Sequence, residues 1–323
     1  MYTPWDDFFS ESALRLVERD VDLALDEDGP ELTAHAIFAE GRTIDAVIRA
    51  KEDTFVVGLP MAAIILRRLE EAGYGRRPAC RRPDAGSLPK GLALPPWSVT
   101  VAADEGGRVA KDTVVARLHG PAAMLLKAER VILNYICHLS GIANLTARYA
   151  AELKGTGVRL LDTRKTTPGL RWPEKYAVQL GGGMNHRMDL TDMIMLKDNH
   201  IDAAGSIARA VAAVRAAYDP CPPVEVECRT CAHVREAVAA HADRIMLDNL
   251  RGPALAEALS LIPEGVEAET SGGITLENIR SVALTGARRT DFISVGRLTH
   301  SARAADFSMT LGPAGAPLPT EAA

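Results

Sequence analysis

Charged side chains follow a series of short apolar runs in the second half of the chain. Five possible cations stand out in a protein whose net charge is −5: Arg164, Lys165, His186, Arg187 and Lys197. An arginine fork matches two oxygens of a carboxylate or a phosphate, and lysine offers a point charge to phosphate. Any one of these residues alone would be interpreted as part of a solvated surface. Together they favour a binding site for an anionic substrate.

Two carboxylates and a glycine-rich turn complete the candidate site. Glu227 and Asp248 also follow apolar runs, and carboxylates of this kind suit a Mg2+ ion that keeps most of its waters. Ser271–Gly273 precede a predicted helix whose expected N-cap is Thr275, and Gly296 ends the last apolar run. Backbone N–H groups at such turns bind phosphate, and barrels often place a phosphate site after their last two strands. The sequence therefore indicates a phosphorylated substrate with carboxylates, together with magnesium.

The elements that must position these residues are predicted from an alternation of apolar runs and helical segments after residue 121. The predicted strands are Val158–Leu161, Met193–Leu196, Val224–Val226, Arg244–Leu247, Val266–Ala268 and Phe292–Val295. The predicted helices are 203–218, 231–241, 253–261 and 276–285. This alternation is typical of βα units and a parallel sheet. A (β/α) barrel, complete or with fewer than eight strands, is favoured because polar strand ends then converge on one mouth. An open doubly wound sheet is the alternative, and no strand is placed between 165 and 192.

The first part of the chain has the pattern of an α/β sandwich. Residues 30–120 contain short β-like runs, and residues 60–73 have a helical spacing of apolar residues. The predicted strands are His35–Phe38, Ala46–Arg49, Thr54–Val57, Ser98–Ala102 and Val114–His119. The Pro- and Gly-rich stretch 76–97 is predicted to be a loop. Pro121 begins a helix that extends to Leu153, with an expected interruption near Gly141.

Composition excludes several classes of function. Aromatic residues make up only 5% of the 323 residues and the chain is mildly acidic, which argues against binding of nucleic acid. No apolar run approaches the ~18 residues of a membrane span, and the first residues lack the pattern of a signal peptide. Five cysteines, an odd number, indicate thiols rather than a disulfide framework. A cytoplasmic protein without nucleic-acid or membrane partners is expected.

Six strings in this chain closely resemble the quinolinate phosphoribosyltransferase family, also called carboxylating nicotinate-nucleotide pyrophosphorylases, of NAD biosynthesis. They are AERVILNYICHLSGIANLT (128–146), DTRKTTPGLRWPEKYAVQLGGGMNHR (162–187), KDNHI (197–201), IMLDN (245–249), SGGITLENI (271–279) and ISVGRLTHS (293–301). The resemblance is dense from about 120 to 302. It is looser in the first third, where IRAKEDTFVVGL (48–59) carries most of it.

The resemblance implies a fold and a reaction. The fold would be an N-terminal α/β sandwich (residues 1–120) packed on an incomplete parallel (β/α) barrel (residues 121–302), with 303–323 returning to the first domain or forming a tail. The reaction would transfer phosphoribose from phosphoribosyl pyrophosphate to the ring nitrogen of quinolinate, with loss of the 2-carboxylate. The products would be nicotinate mononucleotide, CO2 and pyrophosphate. A homodimer with shared active sites, or a higher oligomer built from it, is also implied.

The resemblance also implies roles for individual residues. The quinolinate carboxylates and the pyrophosphate would be held by Arg164, Lys165, His186, Arg187 and Lys197. The ribose hydroxyls and Mg2+ would be held by Glu227 and Asp248, which with Lys165 form the catalytic set. The 5-phosphate would bind at Ser271, Gly272, Gly273 and Gly296. Arg130 would reach into the site of the neighbouring subunit.

Three alternatives remain open from the sequence. One is the related pyrophosphorylase found beside molybdenum-transport proteins, whose members tend to lack the Lys-Asp-Asn-His string that is intact here. Another is a non-catalytic anion-binding protein on the same fold, since fold alone does not determine function. The third is a metal site at Cys221, Cys228, Cys231 and His233, for which one Cys-x-x-Cys is only half a zinc signature. Structural thiols beside a helix start are the favoured interpretation of these cysteines.

Overall fold

The structure is a computed structural model that describes residues 4–39, 41–73 and 96–313. The chain divides into two compact units. Unit 1 consists of Met1–Asn144, Pro168–Leu180 and Ala302–Ala323, and unit 2 consists of Leu145–Thr167 and Gly181–Ser301. Unit 2 is therefore inserted, in sequence, into unit 1.

The helices and strands follow one another along the chain. They are α1 (Pro4–Phe8), α2 (Glu11–Glu27), α3 (Leu32–Ile37), β1 (Thr43–Ala50), β2 (Thr54–Phe55), α4 (Pro60–Glu71), β3 (Ser98–Val101), β4 (Arg108–Val109), β5 (Val114–Pro121), α5 (Ala122–Leu153), β6 (Arg159–Leu161), α6 (Arg171–Leu180), β7 (Ile194–Leu196), α7 (Asp198–Ala204), α8 (Ile207–Ala217), β8 (Val224–Cys228), α9 (Cys231–Ala239), β9 (Arg244–Asp248), α10 (Gly252–Ser260), β10 (Glu267–Ser271), α11 (Ile279–Ala283), β11 (Phe292–Ser294), α12 (Arg297–His300) and β12 (Phe307–Pro313).

Unit 1 contains an antiparallel sheet with the strand order β12-β1-β5-β3. β12 comes from the end of the described chain and pairs along β1, from Ile44 opposite Pro313 to Ala50 opposite Phe307. Helix α2 presents one apolar stripe, in which Ala13, Val17, Val21 and Leu25 are buried at a spacing of four residues. An antiparallel sheet together with amphipathic helices in one unit is the sandwich expected from the sequence.

Two predictions for unit 1 are wrong. The run His35–Phe38 lies largely in helix α3 rather than in a strand, because Glu31 accepts hydrogen bonds from the first N–H groups of that helix. Helix α5 runs through Gly141 without interruption. A side chain at Gly141 would place its Cβ 2.1 Å from the carbonyl oxygen of Arg303. The glycine therefore permits close packing and does not break the helix. The predicted loop 76–97 lies almost entirely outside the described residues.

Unit 2 contains a six-stranded parallel sheet with the order β6-β11-β10-β9-β8-β7. Beyond β7, each strand lies beside the one that precedes it in the chain, and β11 closes back onto β6. A doubly wound sheet would instead reverse its strand order at a switch point. The order is that of a (β/α) barrel that is incomplete between β6 and β7. At this opening Met184 forms a single parallel bridge with Leu161.

Several helices of unit 2 differ from prediction in their bounds. The segment 203–218 forms two helices, because α7 ends at Gly205 with φ of +86° and the Ser206 hydroxyl caps α8. Thr275 is not the N-cap before α11; that position is Asn278, whose side chain accepts a hydrogen bond from the Thr275 N–H. The unassigned region 165–192 contains helix α6, which belongs to unit 1. Although α5 has 32 residues, no helix in the described ranges combines the length and apolarity needed to cross a membrane.

Candidate active site

A pocket of about 320 Å3 lies at the carboxyl ends of the unit 2 strands. The lining residues are Thr163, Arg164, Lys165, His186, Arg187, Met195, Lys197, Glu227, Met246, Asp248, Glu269, Ser271 and Ser294. All of them belong to unit 2. The volume is in the range of sites that enclose a small molecule.

Most residues predicted from the sequence are brought together in this pocket. They are Arg164, Lys165, His186, Arg187, Lys197, Glu227, Asp248 and Ser271. Gly272 and Gly273 continue the chain from Ser271, and Gly296 packs against the Lys165 side chain. Arg130 is exposed on the part of α5 that belongs to unit 1, and it is not among the lining residues described above.

The pocket also contains residues that were not identified from the sequence, above all Glu269 and Ser294. Alternation along β10 could have identified Glu269, because it shares a face of the strand with Ser271. The same reasoning applies to Glu225, which precedes Glu227 by one alternation step in β8. Strands of a parallel sheet are usually buried and apolar, so a glutamate within such a run indicates an inward-facing polar group.

The arginines of the pocket have unused hydrogen-bonding capacity. Nε of Arg164 is buried and has no hydrogen-bond partner among the residues that the structure describes. Arg187 is held in place by a hydrogen bond from Nη1 to the carbonyl oxygen of Met193 at 3.1 Å. Burial and the neighbouring charge of Arg164 lower the pKa of Arg187. Two crowded guanidinium groups with an unsatisfied donor favour the binding of an anion.

His186 forms a buried cluster with two glutamates, Glu225 and Glu269. Its Nε2 lies 3.2 Å from Oε2 of Glu225 and 3.4 Å from Oε2 of Glu269, and both glutamate side chains are 0% exposed. The segment is fixed at the end of β6 by Asp162, which accepts hydrogen bonds from the backbone N–H of His186 at 2.8 Å and from the Asn185 side chain. The backbone N–H of Arg187 donates to Nδ1 of His186 at 2.7 Å. Nδ1 therefore accepts a hydrogen bond from the backbone, and Nε2 faces the two glutamate carboxylates.

This cluster holds one proton more than its separate groups would at neutral pH. Burial alone would lower the pKa of His186, but hydrogen bonds with Glu225 and Glu269, and their charges, outweigh it and raise that pKa to about 9. The Arg187 N–H that points at Nδ1 opposes a second proton on the ring. We therefore place that proton on the Glu225 carboxyl, whose own pKa is raised by burial and by the charge of Glu269.

Glu227 and Asp248 lie on the neighbouring strands β8 and β9 and share a cationic partner. Nη2 of Arg229 is 3.0 Å from Oε1 of Glu227, and Nε of Arg229 is 3.6 Å from Oδ2 of Asp248. The same guanidinium also contacts Asp198, at the start of α7, at 3.0 Å. Arg229 was not singled out from the sequence, because nothing in its neighbourhood distinguishes it from a surface arginine.

The turns at Gly272–Gly273 and at Gly296 bring backbone close to the part of the pocket lined by Ser271 and Ser294. Gly272 and Gly273 have φ values of +81° and +54°, a region that favours glycine. A Cβ at Gly272 would lie 2.2 Å from Oδ1 of Asn249. The hydroxyls of Ser271 and Ser294 are joined at 2.9 Å across β10 and β11. Small side chains and bent backbone at this place are suited to a phosphate group.

The cysteines of the alternative metal site lie in separate local environments. Cys228 is buried at the end of β8, and Cys231 begins helix α9, whose N-cap is Thr230. Within the described ranges, the side chains that bring three possible metal ligands together are His186, Glu225 and Glu269. Cys221, Cys228, Cys231 and His233 do not form such a group there.

Comparisons with known proteins agree with this geometry. A family model described as "Quinolinate phosphoribosyl transferase, C-terminal domain" matches residues 142–310, and its N-terminal counterpart matches residues 88–140. A nicotinate-nucleotide pyrophosphorylase (carboxylating) of Mycobacterium leprae is 33% identical over 296 residues, which cover 89% of this chain and 94% of that protein. A probable enzyme of the same name from Bacillus subtilis is 48% identical over 205 residues, or 64% of this chain and 70% of that protein.

The fold is also shared with solved structures. The crystal structure of NadC from Streptococcus pyogenes superposes with a TM-score of 0.78 at 34% identity, covering 97% of this chain and 98% of that one. Similarity at this level of identity and coverage extends over both units of the chain.

Proposed function

The chain belongs to the quinolinate phosphoribosyltransferase family, and we propose that the unit 2 pocket is where it binds its two substrates. The enzyme transfers the phosphoribosyl group of phosphoribosyl pyrophosphate to quinolinate and forms nicotinate mononucleotide, CO2 and pyrophosphate. The observation that supports this location is the meeting of four cationic side chains and three carboxylates in one pocket, beside a turn suited to phosphate. Lys165, Glu227 and Asp248 are proposed as the catalytic residues.

Quinolinate is proposed to bind against the arginines. It carries two carboxylates, and Arg164 and Arg187 offer donors that can match their oxygens. The buried Nε of Arg164, which has no hydrogen-bond partner in the described part of the chain, would gain one from the substrate. Lys165 and Lys197 supply further positive charge for the carboxylates or the pyrophosphate. His186, which lines the same pocket, is proposed to help hold these anions, and its Nδ1 also fixes the backbone of Arg187.

The transfer step needs little acid–base chemistry from the protein. The ring nitrogen of quinolinate already has a lone pair, so no general base is required to create the nucleophile. Positive charge develops on the anomeric carbon of the ribose, while negative charge develops on the leaving pyrophosphate. Glu227 and Asp248 face the first kind of charge and the lysines face the second, so positioning and electrostatics supply the rate enhancement. After transfer, the pyridinium nitrogen accepts the electron pair that decarboxylation releases.

Mg2+ is proposed as the metal of this site. The donor set fits, because two carboxylates on adjacent strands can hold Mg2+ together with substrate oxygens and water. Glu227 and Asp248 would be its protein ligands. When bound, the ion would neutralise charge on the pyrophosphate as that group departs.

The remaining assignments complete the proposal. The 5-phosphate of the ribose is assigned to Ser271, Gly272, Gly273 and Gly296. The assembly is proposed to be a homodimer in which Arg130 of one subunit completes the quinolinate site of the other, and its location is proposed to be the cytoplasm. The exposure of Arg130 supports a role in contact with another chain.

The decisive experiment is to mix the protein with quinolinate, phosphoribosyl pyrophosphate and Mg2+, and to measure CO2 and pyrophosphate release. Nicotinate, which lacks the second carboxylate, should be nearly inert, since truncating a buried charge pair costs about 2–5 kcal/mol. Lys165→Ala should abolish turnover, whereas Lys154→Ala, an exposed lysine after α5, should not. Equal turnover of nicotinate and quinolinate would contradict the substrate assignment.

A further inference from the structure

Arg229 is the residue immediately after strand β8, and its guanidinium touches the ends of three neighbouring strands. It lies 3.0 Å from Glu227 on β8, 3.6 Å from Asp248 on β9 and 3.0 Å from Asp198, two residues after β7. The first two of these carboxylates are the proposed metal ligands.

The contact uses one oxygen atom of each proposed metal ligand. Oε1 of Glu227 and Oδ2 of Asp248 are the atoms nearest the guanidinium. Mg2+ binds carboxylate oxygens directly at about 2.1 Å, so an ion on these carboxylates would lie close to the guanidinium and compete with it for them. Positive charges at such a separation also repel one another.

The Arg229 side chain can move away from Glu227 and Asp248. It is 50% exposed, and exposed ion pairs are individually weak. Asp198 offers a carboxylate that is not part of the proposed metal site, so Arg229 can keep one partner when it releases the other two. The arrangement therefore has a carboxylate pair that one guanidinium partly neutralises without metal, and that guanidinium can move aside.

We propose that Arg229 is an internal counter-ion that occupies Glu227 and Asp248 in the metal-free enzyme and competes with the divalent cation for them. This inference rests on the proposed metal site. Arg229 keeps the two carboxylates from repelling each other in the absence of metal, and it weakens binding of the free ion. When the metal arrives bound to the pyrophosphate substrate, the pyrophosphate would make additional contacts with Lys165 and Lys197, and these would offset the competition. The enzyme is thereby biased towards metal that is already bound to its substrate.

The test is direct binding of Mn2+, measured by electron paramagnetic resonance without any substrate. Arg229→Ala should bind Mn2+ about tenfold more tightly than the wild type, because one positive charge beside the site has been removed. Arg235→Ala is the matched control: it removes an exposed arginine of helix α9 that pairs with Glu257 at 3.7 Å, away from the proposed metal ligands. Its Mn2+ affinity should match that of the wild type. A crystal structure with Mn2+ should show the guanidinium moved away from Glu227.

The variant Glu227→Gln distinguishes the proposed metal site from the proposed counter-ion role of Arg229. If Glu227→Gln binds Mn2+ as well as the wild type, the metal assignment is wrong and the role of Arg229 falls with it. If Glu227→Gln loses binding while Arg229→Ala and the wild type bind equally, the metal site stands and the counter-ion proposal is overturned. A guanidinium that still contacts Glu227 in the Mn2+ complex would overturn the counter-ion proposal as well.

Discussion

Nε2 of His186 lies 3.2 Å from Oε2 of Glu225, and both side chains are buried. Glu269 approaches the same nitrogen from β10. The two buried carboxylates and the imidazole between them cannot each ionise as they would in water. The cluster therefore retains a proton that the unfolded chain would release.

The first prediction is that the folded protein loses stability as pH rises from about 5 to 9. Glu225 ionises near its ordinary pKa of 4.5 in the unfolded chain, but its pKa is about 7 in the folded protein. The free energy of unfolding therefore falls as pH rises between these two values. The raised pKa of about 9 at His186 belongs to the same single proton of the coupled cluster, so the loss of stability extends up to that pH. The loss is therefore counted once, as the release of the one proton that the folded cluster retains.

Urea unfolding at several pH values will measure this dependence. Glu225→Gln removes one titrating carboxyl, so its stability should change less between pH 5 and 9 than that of the wild type. Parallel pH profiles for the two proteins would show that the cluster does not hold the extra proton.

The second prediction concerns the contact between Gly296 and Lys165. Gly296 has φ of −66°, so alanine is compatible with its backbone. Its Cβ, however, would lie 3.0 Å from Cδ of Lys165 and would displace that side chain. Gly296→Ala should therefore reduce kcat/KM by about 10- to 100-fold through misplacement, while the thermal unfolding midpoint stays close to that of the wild type. Full activity would mean that the position of Lys165 is not critical.

The third prediction tests the proposed shared site. Arg130→Ala and Lys165→Ala homodimers should each be almost inactive. When the two variants are co-expressed, about half of the dimers are mixed, and one site in each mixed dimer is intact, so about a quarter of all sites should recover. Absence of recovery, with mixed dimers demonstrated, would place the action of Arg130 within its own subunit or outside catalysis.

The fourth prediction is that Cys228 and Cys231 have a structural role. Replacing both with alanine should leave turnover largely unchanged, although loss of the buried Cys228 side chain should lower the unfolding midpoint by a few degrees. Elemental analysis of the wild type should find no stoichiometric zinc. One zinc ion per chain would overturn this interpretation.

The strands of unit 2 could be predicted because each is a short apolar run that ends in a polar residue. The strand order could not, since the same runs fit a doubly wound sheet; only the pairing of β11 with β6 decides between them. Gly141 shows a different limit. Glycine lowers helix propensity, but the close approach of the Arg303 backbone that requires it is a tertiary contact between residues far apart in the sequence.

The candidate site shows the same division. Residues that carry an uncommon charge at a strand end, such as Arg164 and Asp248, could be identified from the sequence. Glu225 and Glu269 could have been found from strand alternation, but their partnership with His186 depends on three segments meeting. Arg229 could not be identified from the sequence, because its proposed role depends on the three carboxylates that surround its guanidinium in the fold.

The pairing of β12 with β1 has a consequence for the order in which the protein is made. β1 leaves the ribosome early, whereas its partner β12 is synthesised only after the whole of unit 2. Throughout that interval the β1 edge lacks this partner, and unpaired strand edges are sites of association with other chains. Growing chains that stall or are released before residue 307 should thus be the species most prone to co-translational aggregation and most dependent on chaperones.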